Sequence, residues 1–277
     1  MANPASCPVC ESAALSYGQK LNGYSIPTCS NCELSFAVGA LDVDTNYDTV
    51  YDSSEYQESQ VSSFRNADTF EEFIWNVPYR HFFKQVTPAP GHKMLLDIGC
   101  GVGRFCHAAK LKGWDVHGLD VSQRAVGIAM ERANFPVYCG TLEDHLSLGE
   151  HLYDAVTAFE VLEHLDDPCG FLVKAAKAIA PGGSIFCTVP NWDCLTVKGT
   201  TKTDWLPPFH KLFFTRRSLQ ALLEQAGYRV LEVGYNVTEP LPIRFRDRIH
   251  WLKRRLKGKE RAPLGLWIHA KPETVSL

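Results

Sequence analysis

No run of 18 or more consecutive apolar residues occurs in the 277-residue chain, so no helix of it is expected to span a bilayer. The opening MANPASCPVC has neither a positive n-region nor an apolar core. No secretory signal is therefore expected, and a cytoplasmic location is. An excess of one charge is missing as well: 28 Lys and Arg face 31 Asp and Glu, a net −3. That balance does not call for a nucleic-acid partner. Internal repeats and low-complexity tracts are also absent. What remains is ordinary, with 45% hydrophobic and 21% charged residues. Such values exclude a wholly disordered chain, a collagen-like fibre and a coiled coil. The length permits one large domain plus a small appendage, with a sizeable core.

Ten cysteines in a chain expected to be cytosolic do not read as a disulfide framework. Six of them (Cys100, Cys106, Cys139, Cys169, Cys187 and Cys194) stand singly among apolar or Gly-rich neighbours and read as small buried hydrophobes. The other four form CPVC and CSNC, with Cys7, Cys10, Cys29 and Cys32 at the spacing of a four-thiolate zinc site. Each C-x2-C turn brings two thiolates to one side of a metal, and two turns complete a tetrahedron. A segment as short as residues 1–40 does not fold alone without such a staple. Two redox C-x2-C motifs are the alternative, but no βαβ pattern surrounds them. The stretch between the two pairs reads as a loop.

Residues 41–58 carry six acids and no Lys or Arg, interrupted by Tyr47, Tyr51 and Tyr56. This is an acidic linker, part of which docks through its tyrosines. Residues 61–85 read as one or two helices broken near Pro78, and TPAPGH (87–92) is a linker. From residue 93 the pattern alternates. Strands are expected at Lys93–Ile98, Trp114–Leu119, Val137–Cys139, Tyr153–Phe159, Ser184–Val189, Tyr228–Val233 and Leu264–Ala270. Helices are expected from Arg104 to about Lys112, from near Ser122, from after Phe159 to Ala180, and over Thr215–Ala226. This alternation makes an α/β fold with a mostly parallel sheet covered on both faces.

LLDIGCGVGRF follows a strand and opens a helix. Gly99, Gly101 and Gly103 let the backbone turn tightly and approach a ligand closely. The sixth position of a G-x-G-x-x-G fingerprint is Arg104, which argues against a dinucleotide, and no Lys-Ser/Thr follows to make a P-loop. Asp120 ends the next strand, where a carboxylate takes both hydroxyls of an adenosine ribose. Helix capping is its other reading, although Ser122 caps equally well.

LLDIGCGVGRF, VHGLD, YDAVTAFEVLEHLDDP, PGGSIFCTVPN and HKLFFTRRSLQALLEQAGY, in that order over about residues 93–236, resemble the class I S-adenosylmethionine-dependent methyltransferases. The branch most resembled is shared by ubiquinone-pathway O-methyltransferases and many small-molecule methyltransferases with an N-terminal zinc ribbon. The resemblance implies a seven-stranded Rossmann-like sheet whose last strand, near Trp267, is antiparallel. It implies Asp97, Gly99, Gly101 and Gly103 around the methionine half of the cofactor, and Asp120 on the ribose. Leu142 and Glu143 would meet the adenine, and Phe159 would line the cofactor. The chain then divides into a zinc ribbon (1–40), an acidic linker with a helical cap (41–90) and the methyltransferase domain (91–277).

FEVLEH places Glu160, Glu163 and His164 at i, i+3 and i+4, on one side of the chain if the turn is helical. Two carboxylates and an imidazole suit Mg²⁺, Mn²⁺ or Zn²⁺, with His210 as a further ligand. The set resembles the metal-binding E-x-x-E-H plus distant His of small-RNA 3′-terminal 2′-O-methyltransferases. A metal-free base at His164 and a purely structural cluster stay open at this point.

Residues 190–210 are long for a connection and carry Trp192, Trp205 and Phe209, fit to wall an aromatic or sugar substrate. Residues 243–261 hold nine Lys/Arg and two acids, with Phe245, Ile249, Leu252 and Leu256 at helical spacing. That pattern suits an anionic membrane surface or phosphates; a solvated helix packed on the sheet is the plainer reading. The leading expectation is O-methylation of a small-molecule or sugar hydroxyl by S-adenosylmethionine, with structural zinc and either a His base or Mg²⁺/Mn²⁺. Methylation of an RNA 3′-terminal ribose and a non-catalytic cofactor-binding zinc-ribbon protein are the alternatives.

Overall fold

The structure, a computed structural model, describes residues 6–40, 61–73, 77–87, 91, 93–149, 152–194, 205–236 and 264–273. The acidic stretch 41–58, residues 195–204 of the aromatic loop and the basic stretch 243–261 lie outside the described residues.

The N-terminal segment contains strands β1 (Leu15–Leu21), β2 (Tyr24–Cys29) and β3 (Ser35–Phe36). The expected loop between the cysteine pairs is thus a β-hairpin. Its turn is Asn22-Gly23, at φ 48° and 84°, with Leu21 paired to Tyr24. Asn-Gly is the pair that tolerates two successive positive φ angles, which matches the right-handed strand twist.

Three short helices follow: α1 (Ser62–Asn66), α2 (Phe70–Phe73) and α3 (Val77–Gln85). The expected break near Pro78 falls just before it: α2 ends at Phe73 and α3 starts at Val77, with Pro78 its second residue. A proline in the first helical turn has no intrahelical N–H bond to lose.

The main sheet is built from β4 (Met94–Ile98), β5 (Asp115–Asp120), β6 (Val137–Cys139), β7 (Tyr153–Phe159), β8 (Ile179–Pro190), β10 (Tyr228–Asn236) and β11 (Gly265–Pro272). Between β8 and β10 lies the two-residue strand β9 (Leu212–Phe213). The helices are α4 (Arg104–Leu111), α5 (Gln123–Met130), α6 (Leu142–Ser147), α7 (Pro168–Ala178) and α8 (Arg216–Gln225). The strand order is β10-β11-β8-β7-β4-β5-β6. Strands β4 to β8 pair in parallel, and β11 is antiparallel to both β8 and β10. This is the expected seven-stranded α/β sheet, with its antiparallel strand at Trp267.

One expected helix is wrong in detail. The chain after Phe159 does not run helically to Ala180. Glu160 adopts φ 56°, a 3-10 turn covers Leu162–His164, α7 starts afresh at Pro168, and β8 begins at Ile179. Asp167 caps α7 through Gly170 N–H, and Pro168 cannot continue an earlier helix because it lacks an N–H. The single cysteines also divide. Cys100, Cys106, Cys187 and Cys194 are buried as expected, but Cys139 is exposed and Cys169 half-buried.

The N-terminal strands do not stand apart. Their sheet runs β1-β2-β3-β9, so its fourth strand comes from far along the chain. Ser35 pairs with Phe213 and Phe36 with Leu212. Cys7, Val9, Cys29, Leu34 and Phe36 share one continuous core with Leu162, Leu212, Phe214 and Leu219. Among the described residues no helix is long and apolar enough to cross a membrane.

Candidate active site

The expected nucleotide loop lies beyond the carboxyl ends of β4 and β5. Gly99, Gly101 and Gly103 take φ of 74°, 53° and 82°, the left-handed region that L side chains rarely enter. A Cβ on Gly99 would lie 2.5 Å from Val161 Cγ2. Asp120 ties the loop to the next strand. Its Oδ2 accepts Gly101 N–H at 2.8 Å, and its Oδ1 accepts Ser122 N–H at 2.9 Å. Capping of α5 falls to Ser122, whose hydroxyl accepts Ala125 N–H.

Asp97 is buried beneath the loop. Its Oδ1 accepts from Thr157 Oγ1 at 2.7 Å and its Oδ2 from the Cys106 thiol at 3.4 Å. Burial raises its carboxyl to about 7, against the pull of those two bonds. Phe159 packs on Phe105 at 4.6 Å and on Tyr79 of α3 at 5.0 Å, so the cap helix closes over this end of the sheet. Burial, then the charge of Asp97, pushes the Tyr79 phenol up. Leu142 is buried at the start of α6, whereas Glu143 lies on the surface in an ion pair with Lys174.

Next to this loop sits the acid–histidine cluster. One ligand atom from each of Glu163, His164 and His210 lies within 4.8 Å of the others. Glu160 is not among them. The helical geometry that would have put it on the same side is absent, since its φ is 56°. Its Oε1 instead accepts from Thr188 Oγ1 at 2.8 Å. Glu163 is fully buried, and its carboxyl lies within hydrogen-bond reach of the Glu160 carboxyl, a contact that becomes a hydrogen bond when one of the two holds a proton. Burial, followed by the neighbouring Glu160, pushes its carboxyl well up; burial raises Glu160 to about 7. His164 Nδ1 lies 2.8 Å from the Phe209 carbonyl. A carbonyl only accepts, so Nδ1 carries the proton and Nε2 the lone pair. Burial lowers His164 to about 4 and holds His210 well below its ordinary value, which favours the neutral form of both rings.

Of the loop aromatics, Trp205 lies nearly parallel to the His210 ring, 14° apart at 6.2 Å. Trp192 is buried against Phe213. The residues missed in the sequence are Thr157, Thr188 and Tyr79. The first two had a signal, a lone hydroxyl in an apolar strand (DAVTAF, IFCTVP). Tyr79 is one aromatic among several in 61–85 and had none.

The four cysteine sulfurs converge elsewhere, all within 4.8 Å of one another. Cys7 and Cys32 Sγ are 3.6 Å apart, and Cys10 and Cys29 3.5 Å. Zinc–sulfur bonds near 2.3 Å in a tetrahedron put sulfurs about 3.8 Å apart. The two turns have matching backbones: Glu11 N–H donates to Cys7 O and Glu33 N–H to Cys29 O, with both glutamates at positive φ.

A family model described as "Methyltransferase domain" matches residues 63–233. The chain belongs to this family. It is an S-adenosylmethionine-dependent methyltransferase; the glycine loop and the acid–histidine cluster lie in the matched region, and the four cysteines lie before it. The chain is 31% identical over 175 residues to a ubiquinone biosynthesis O-methyltransferase of Hydrogenovibrio crunogenus, covering 57% of this chain and 72% of that one. A protein of the same name from Vibrio cholerae is 35% identical over 104 residues, which span 36% of this chain and 42% of that one. The fold is similar to that of an S-adenosylmethionine-dependent methyltransferase from Archaeoglobus fulgidus. The TM-score is 0.56 at 19% identity, covering 82% of this chain and 100% of that chain.

Proposed function

We propose that this methyltransferase acts on the hydroxyl of a small molecule, with a divalent metal held by Glu163, His164 and His210. One observation carries this reading. Glu163 is a fully buried carboxyl set against the buried carboxyl of Glu160, with ligand atoms of His164 and His210 within 4.8 Å. Two buried acids packed together beside two imidazoles call for an explanation, and a bound divalent ion supplies one. The relatives named as O-methyltransferases support the choice of oxygen as acceptor.

S-adenosylmethionine supplies an activated methyl on a sulfonium, so little covalent chemistry falls to the protein. A divalent ion in the cluster would lower the pKa of a bound hydroxyl. The chain's own task is to hold acceptor oxygen, methyl carbon and sulfur in line and to exclude water. Gly99, Gly101 and Gly103 let the cofactor approach the backbone. Asp120 would accept from the ribose and Asp97 would face the methionine ammonium. Leu142 and Glu143 would border the adenine, and Phe159 and Tyr79 would close the apolar side. Methyl-labelled S-adenosylmethionine incubated with phenolic, catecholic and sugar acceptors tests the reading. Label on oxygen of one class is the supporting result; label only on nitrogen or on an RNA 3′ end contradicts it.

The Asp97 role has a pH signature. Below about 7 its carboxyl is protonated and neutral, so it loses its attraction for the ammonium. Affinity for S-adenosylhomocysteine should therefore fall as pH drops from 8 to 6, by about tenfold per unit at most. Asp97→Asn should remove that dependence. A flat calorimetric profile in the wild type would contradict the role. In the cofactor-free protein the folded form holds this proton longer than the unfolded form. Asp97 therefore makes stability decrease as pH rises from about 4 to about 7.

We further propose that Cys7, Cys10, Cys29 and Cys32 hold a structural zinc. A closed four-thiolate site leaves no position for a substrate. Purified protein should carry about one equivalent of tightly held zinc. Cys29→Ser should lose it, and residues 1–40 should become protease-sensitive, since metal binding supplies their folding energy. Zinc-free protein prepared without chelators would contradict this.

A further inference from the structure

The N-terminal ribbon touches the acid–histidine cluster through an unbroken series of bonds. Asn22, at the tip of the β1–β2 hairpin, donates from Nδ2 to the Pro207 carbonyl at 2.6 Å. Two residues on, the Phe209 carbonyl accepts from His164 Nδ1, and the next residue is His210. Ala37 N–H, just past β3, donates to the Lys211 carbonyl at 2.9 Å, and Lys211 N–H donates to the Glu163 carbonyl at 2.8 Å. Trp205, which lies along His210, packs in one apolar cluster with Leu21, Tyr24, Ile26 and Ala37 of the ribbon. Residues 205–211, which include His210, are thus held between the ribbon on one side and Glu163 and His164 on the other.

We propose that the ribbon is a positioning element of the active site, and that Asn22 is a positioning residue which fixes the two imidazoles through the Pro207–Phe209 carbonyls. Its value as a metal centre rests on the reading given under Proposed function; the positioning itself does not. The ribbon then does more than stabilise the fold. Its Cys-anchored hairpin sets which His164 nitrogen carries the proton and where His210 stands. Ligand-orienting groups of this kind change metal affinity by about 10–100-fold.

Two substitutions test it in the full-length zinc-loaded protein. Asn22→Asp keeps the shape but removes the N–H donor. Asn22→Gly also removes it, and glycine suits the backbone at φ 48°. Zinc content and S-adenosylhomocysteine affinity serve as controls and should stay at wild-type values. Mn²⁺ alone is the probe of the cluster, titrated by electron paramagnetic resonance. Imidazole nitrogen NMR reads the His164 tautomer. Both variants should bind Mn²⁺ about tenfold more weakly or worse. His164 should change from a single Nδ1–H tautomer to a mixture. Unchanged Mn²⁺ affinity and an unchanged tautomer in both variants would overturn the proposal. Should the wild type not bind Mn²⁺, the metal reading fails by itself. The tautomer then decides: a mixture in both variants supports the positioning role, and a retained Nδ1–H overturns it.

Discussion

Replacing His210 with alanine should lower methyl transfer by about a hundred- to ten-thousand-fold, with affinity for S-adenosylhomocysteine close to native. The ring is buried beside His164 and Glu163, while the glycine loop and Asp120 make their bonds elsewhere. Glu163→Gln should cost a similar factor, because a metal site fails as a unit and its losses are not additive. A brief, mild EDTA treatment should have the same effect, reversed by Mg²⁺ or Mn²⁺, with zinc content checked to show that the ribbon is intact. The cysteine site and the acid–histidine site differ in ligand softness, which makes this selective removal workable. Activity that survives with zinc retained, together with an active His210→Ala protein, would leave His164 as a metal-free base. Its neutral ring, with the Nε2 lone pair set by the Phe209 carbonyl, suits that role too.

Gly99→Ala should abolish measurable cofactor binding and destabilise the fold by about 1–3 kcal/mol from backbone strain alone. At φ 74° an alanine is strained, and its Cβ would lie 2.5 Å from Val161 Cγ2. Relief must come from the Val161 side, and Val161 directly precedes the 3-10 turn that carries Glu163 and His164. The substitution should therefore weaken Mn²⁺ binding as well, although it adds only one methyl group. Gly127→Ala is the control, since a Cβ there meets nothing within 4 Å and the site is helical. Calorimetry with S-adenosylhomocysteine separates the two; native affinity in Gly99→Ala would contradict the close-approach argument.

The sheet was legible because its strands are apolar runs bounded by glycine, proline and polar turns. Val137–Cys139 and Tyr153–Phe159 fall at the expected residues. The glycine loop was legible because glycine at positive φ leaves its mark in composition, and Asp120 because strand ends are easily located. Three things were not. The Asn22-Gly23 hairpin was present as a two-residue signal but passed as loop beside the cysteines. The conformation of Glu160 was hidden, since E-x-x-E-H has perfect helical spacing and only the left-handed φ at one residue breaks it. The joining of β3 to β9 was beyond reach, because a two-residue strand carries no periodicity and its partner lies far along the chain. Long-range pairings of that kind connect the N-terminal strands to the segment that carries His210, so the part of the candidate site that depends on tertiary contact was the part least visible in sequence.

The most direct test of the account is a crystal structure with S-adenosylhomocysteine and Mn²⁺ together, read by anomalous scattering. The account expects a manganese peak bonded to Glu163, His164 and His210, with the nucleoside over Gly99–Gly103, its ribose on Asp120 and its ammonium on Asp97. A structure with the nucleoside in place and no manganese at the three side chains would contradict it.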